Sequence, residues 1–132
     1  MGNSLGGTLS IYCGALLDDI DFVIAGSCVS SIDRSLLSIY HCSDLYIPKL
    51  REYFEFGDIM GLIAPKPLIV VQGREDRIFP IQGLNEAVSQ AGAIYQACNA
   101  ERKLRVLVGS GGHQFYSQLA SKGLSEIRSP IR

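Results

Sequence analysis

The sequence predicts an α/β protein built on a parallel sheet, on three observations. Residues 22–25, 68–71 and 104–108 are short apolar runs, and stretches of helical periodicity separate them. The first two runs are continuous rather than alternating, as in strands covered on both faces. Each run ends in Gly or Ser: Gly26-Ser27, Gly73, and Gly109-Ser110-Gly111-Gly112. Those are loop signals at the strand ends where α/β proteins place ligands. The order helix, strand, helical excursion, strand, helix, strand, helix calls for right-handed crossovers between about three parallel strands.

Residues 5–17, rich in Leu, Ile, Ala and Tyr, are the first predicted helix, and 22–25 the first strand. Residues 28–64 are less regular. Asp33 is placed to cap a helix over Leu36, Leu37 and Tyr40. Pro48 interrupts, and Asp58 is placed to cap a short helix ending before Pro65. The segment is too long for an ordinary connection, so it is expected to pass over the strand ends as a helical excursion. After the strand at 68–71, residues 82–98 place Leu84, Ala87, Val88, Ala91, Ile94, Tyr95 and Cys98 on one helical face. Residues 104–108 set Leu104, Val106 and Val108 on one side, Arg105 and Leu107 on the other, as expected nearer a sheet edge. Residues 114–127 form a weaker last helix, with Phe115, Leu119 and Ile127 toward the core.

The 132 residues fit one domain, and 47% hydrophobic against 19% charged residues supports a packed core. Twelve basic and thirteen acidic side chains leave a formal charge of −1, with no excess directed at nucleic acid or anionic lipid. No run approaches the ~18–20 apolar residues that span a bilayer, so no membrane partner is expected. Cys13, Cys28, Cys42 and Cys98 form no CxxC pair, and neither His41 nor His113 stands at zinc-ligand spacing. The cysteines are expected to be small buried hydrophobes, with no metal site and no disulfide framework. Reduced thiols agree with a cytoplasmic location.

Three residues stand out chemically. Gly2-Asn3-Ser4-Leu5-Gly6-Gly7 fits G-x-S-x-G with an extra Gly, the pattern of a nucleophile on a sharp strand-to-helix turn. Gly2 and Gly6 would keep side chains from colliding across that turn. The helix after it would aim its N-terminal dipole at developing negative charge, with the Leu5 N–H as an oxyanion donor. The alternative is a glycine-rich helix start in an unrelated loop. Asp76 follows the second strand in Gly73-Arg74-Glu75-Asp76-Arg77 and could accept a histidine Nδ1–H. It could equally be a loop acid paired with Arg74 or Arg77, and Glu75 competes for the role. His113 follows Gly111-Gly112 after the third strand and is preferred as the base over His41, which has no strand before it. The chain order Ser, acid, His matches one triad-bearing fold in particular.

The chain resembles the α/β-hydrolase superfamily, nearest to its dienelactone-hydrolase-like and acetyl-xylan-esterase-like members. The segment Ile63-Ala64-Pro65-Lys66-Pro67-Leu68-Ile69-Val70-Val71-Gln72-Gly73-Arg74-Glu75-Asp76 carries the likeness, with Phe79-Pro80 and Gly112-His113. The resemblance implies a partial α/β-hydrolase fold, residues 1–132 being the C-terminal half of one domain that begins at the nucleophile elbow. It implies a serine hydrolase with Ser4, Asp76 and His113 as its triad, acting on a carboxylic ester without cofactor. A small-molecule or carbohydrate ester is the implied substrate, with an acetyl ester favoured. Tyr40, Tyr46, Tyr53 and Phe54 are candidates for the pocket wall, although core positions are the commoner place for such aromatics and are preferred. The loop supplying a second oxyanion donor has no counterpart, and residues 22–25 are expected to leave an open sheet edge that invites self-association. Two alternatives remain: a peptidase or thioesterase with the same triad, or a non-catalytic remnant that folds only with a partner or as an oligomer.

Overall fold

The computed structural model describes residues 1–128. Four parallel strands form one sheet in the order β1 (Gly2–Asn3), β2 (Val23–Gly26), β3 (Leu68–Gly73) and β4 (Leu104–Gly109). The helices around them are α1 (Leu5–Leu16), α2 (Leu50–Tyr53), α3 (Phe56–Gly61), α4 (Ile81–Ala97) and α5 (Ser117–Arg128).

Successive strand side chains point to opposite faces, so each continuous run feeds two cores. Val23, Ala25, Leu68 and Val70 join Ile11 of α1, Phe56, Ile59 and Met60 of α3, and Leu84, Ala87 and Tyr95 of α4. Ile24, Ile69 and Val71 face the other way, onto Ala120 of α5 and its partly buried neighbours. Complete burial of a side chain such as Leu68 or Ile69 stabilises the fold by roughly 1.5–3 kcal/mol. β4 is only half-buried, as an outer strand should be.

Several expectations are corrected. The sheet is parallel as expected, with four strands where the sequence indicates about three. The extra strand is the two-residue β1, whose Gly2 and Asn3 pair with Ala25 and Gly26. That pairing closes part of the expected open edge. Val23 and Ile24 have no partner strand on that side among the described residues. Asp33 does not cap a helix, because residues 32–38 are a series of turns and its carboxylate pairs with Arg51. Asp58 is not the cap of α3. Glu55 is, with Asp58 answering from the third helical position in a capping box. The last helix begins at Ser117 rather than 114, which leaves Phe115 outside it and against Gly26. Of the cysteines only Cys28 is buried. Cys13, Cys42 and Cys98 are exposed, Cys98 because α4 has already ended.

Candidate active site

The three singled-out side chains meet at the C-terminal rim of the sheet. His113 Nε2 lies 3.0 Å from Ser4 Oγ, and His113 Nδ1 lies 2.9 Å from Asp76 Oδ2. Each arrives from the end of a different strand: Ser4 after β1, Asp76 after β3 and His113 after β4.

Ser4 has φ 54° and ψ −126°, a strained conformation for a residue with a side chain. Its N–H donates to the Gly26 carbonyl at 2.8 Å, so β2 holds the turn. The turn is tight enough that a Cβ on Gly2 would stand 2.2 Å from the Gly6 carbonyl oxygen. Gly6 itself differs from expectation, since a Cβ there would meet nothing within 4 Å. The neighbouring Gly7 is the constrained one. A Cβ there would press on Cys28 Sγ at 2.6 Å and the Gly26 carbonyl at 2.9 Å. Leu5 opens α1, so its N–H is among those that a helix leaves without an intrahelical partner.

The Asp76 side chain is fully buried. Its Oδ1 accepts the N–H groups of Ile78 at 2.9 Å and Phe79 at 3.0 Å, leaving Oδ2 for the histidine. Arg74, Arg77 and Glu75 are exposed, and no ion pair joins them to Asp76. The histidine loop is tied to the acid loop by the Arg74 N–H to Gly109 O and the Glu75 N–H to Gly111 O. Ser27 Oγ adds a bond to Gln114 O at 2.7 Å, and Tyr116 OH one to Gly112 O at 2.9 Å.

His41 is not at the nucleophile. It is buried, with Nε2 3.0 Å from Ser35 Oγ. Desolvation lowers its pKa below the ordinary histidine value, with the His113 charge acting the same way and a Ser35 backbone bond opposing. Tyr40, Tyr46, Tyr53 and Phe54 are exposed rather than in the core. A small cavity lies behind Phe79, bounded by Thr8, Tyr12, Cys28 and Phe56, and none of the four aromatics lines it. Gln72 has a role that its place in the sequence does not announce. Its buried amide bonds both Val29 N and O and donates to Phe79 O at 2.7 Å, bracing the acid loop from β3. A Gln inside an apolar run was its one signal. The described residues hold no cluster of His, Cys, Asp and Glu suited to a metal ion. Among them no helix is long and apolar enough to cross a membrane.

No family model matches the chain. It is 29% identical over 118 residues to the Bacillus subtilis protein named "Putative hydrolase YtaP", covering 86% of this chain and 39% of that protein. Among solved structures it is similar to a carbohydrate esterase family 15 glucuronoyl esterase from Caldicellulosiruptor kristjansonii. The TM-score is 0.77 at 15% identity, over 96% of this chain and 41% of that one. A glucuronoyl esterase from Sporotrichum thermophile gives 0.72 at 18% identity over 96% and 41%. TT1662 from Thermus thermophilus gives 0.69 at 18% over 98% and 54%. The chain therefore has an α/β-hydrolase-like fold and spans about two fifths of the curated relative's length.

Proposed function

We propose that the chain is the nucleophile-bearing part of a serine hydrolase that cleaves a carboxylic ester through an acyl-enzyme. One observation carries this: a single imidazole lies within hydrogen-bond reach of both Ser4 Oγ and Asp76, while Ser4 sits in a strained turn at a helix start. Asp76 accepts Nδ1–H and so leaves Nε2 as the acceptor. Ser4 Oγ attacks the ester carbonyl as its proton passes to His113 Nε2. The oxyanion develops at the N-terminus of α1, where the Leu5 N–H is the proposed donor. His113 then protonates the leaving alcohol. Water, deprotonated by the same ring, releases the acid and restores Ser4. Every step uses side-chain or backbone groups, so the reading needs no cofactor.

For the substrate we infer a carbohydrate ester. The resemblance to acetyl-xylan esterases favours an acetyl ester, whereas the similar solved structures include glucuronoyl esterases. The test is hydrolysis of p-nitrophenyl acetate, an acetylated xylan and a methyl glucuronate ester by the chain and by Ser4→Ala. Turnover of any of them, lost in the variant, supports the reading. Equal turnover by both would remove Ser4 from it.

A second reading concerns association. Among the described residues Val23 and Ile24 have no partner strand on one side, and an apolar groove lined by Met1, Leu9, Cys13, Ile20 and Phe22 lies beside them. We infer that this face draws copies together. Light scattering that shows a monomer at all concentrations would exclude it.

A further inference from the structure

Resting on the triad reading, we propose that Ser35 and His41 are positioning residues that hold the acid loop, and through it His113, in register with Ser4. Three polar ties fix the loop from Asp76 to Phe79. Asp76 Oδ1 takes the Ile78 and Phe79 N–H groups, and Gln72 from β3 takes the Phe79 carbonyl. The third tie comes from outside the strand. Ser35 Oγ donates to the Ile78 carbonyl at 2.6 Å.

Ser35 has one hydroxyl proton, and Ile78 receives it. Its 3.0 Å bond to His41 Nε2 is therefore one in which the imidazole donates. That requires a ring with a proton on Nε2, and burial lowers the pKa of the ring. The His41 ring also leans on Phe79, with centroids 5.4 Å apart and planes at 59°. Phe79 in turn stacks on His113 at 5.9 Å and 19°. His41 thus reaches the triad by two routes. One is polar, through Ser35 and the Ile78 carbonyl. The other is apolar, through the face of Phe79.

The surroundings make this more than packing. Ser35 and His41 are 1% and 6% exposed, within a segment whose Leu37 and Tyr40 are 62% and 91% exposed. A buried imidazole without a partner is costly. A plain apolar side chain would fill the same space against Phe79 at no such cost. What the Ser–His pair adds is a directed bond to a carbonyl two residues from the acid.

The test uses Ser35→Ala, His41→Leu and His41→Gln, whose Nε2 amide keeps a donor. The readouts are kcat and KM on p-nitrophenyl acetate, the rate of fluorophosphonate labelling, and the low-field NMR resonance of the His113 Nδ1 proton. Ser35→Ala and His41→Leu are expected to lower kcat roughly 10- to 100-fold, the scale set by a small misplacement of reacting groups. KM should stay within about twofold, and the low-field resonance should shift or broaden. His41→Gln should recover most of both. Ala and Leu variants that melt earlier yet keep the resonance and kcat would overturn the positioning role alone. A parent chain with neither the resonance nor labelling at Ser4 would overturn the triad reading, and the positioning role with it.

Discussion

Replacing Asp76 by Asn separates tautomer control from packing. Oδ1 of Asp76 already accepts two backbone N–H groups, from Ile78 and Phe79. An amide in the same place must keep its oxygen there, since its NH₂ would face two donors. The NH₂ then replaces Oδ2 and points at His113 Nδ1, 2.9 Å away in the parent. It donates where the carboxylate accepted, so the ring proton moves to Nε2. Nε2–H faces Ser4 Oγ and is unable to take its proton. Loss of the correct tautomer in a triad costs about 10⁴-fold in kcat, or roughly 5 kcal/mol at 1.36 kcal/mol per decade. The exchange is isosteric and keeps the Oδ1 bonds, so stability should change far less than activity. The assay pairs ester hydrolysis with thermal melting. A folded Asp76→Asn chain that turns over within tenfold of the parent would refute the reasoning, because Asp76 would then not set the proton's position.

Further expectations follow from the same geometry. Gly2→Ala puts a Cβ 2.2 Å from the Gly6 carbonyl and should destabilise by at least about 1–3 kcal/mol. Gly6→Ala meets open space and should be neutral or stabilising by up to ~1 kcal/mol; denaturant melts of the two should diverge, and equal midpoints would contradict the elbow geometry. Tyr95→Phe removes the donor to the part-buried Lys66 carbonyl at 2.8 Å and should cost about 0.5–1.5 kcal/mol by the same assay. The His41 pKa is lowered in the fold, so the unfolded chain binds the proton more readily. Stability should therefore fall as pH drops below the ordinary value of 6.5, by at most about 1.4 kcal/mol per pH unit from this group. His41→Leu should flatten that slope, and an unchanged slope would show the ring to be an idle titrant.

The strands at β2 and β3 were readable because burial on both faces demands unbroken apolar runs, and all their residues are buried. The triad candidates were readable because Gly-rich punctuation marks strand ends, and chemistry gathers there. β1 was not, since two residues carry no period. Nor was the turn series after Asp33, where a contact with Arg51 overrides a plausible cap. The ties made by Ser35 and Gln72 are hidden for a common reason. Ser35–Ile78 and Gln72–Val29 each join residues 43 apart in sequence, and nothing local announces such a bond. The exposed aromatics at 40, 46, 53 and 54 show the converse: residue type favours a core position, and the backbone turns them outward.

Fluorophosphonate treatment followed by peptide mapping asks most directly whether the Ser4 hydroxyl is activated. A Ser4 hydroxyl activated by His113 gives one phosphonyl adduct, on the peptide carrying Ser4, absent from His113→Ala. An adduct on a different serine, or one of equal yield without His113, would contradict it.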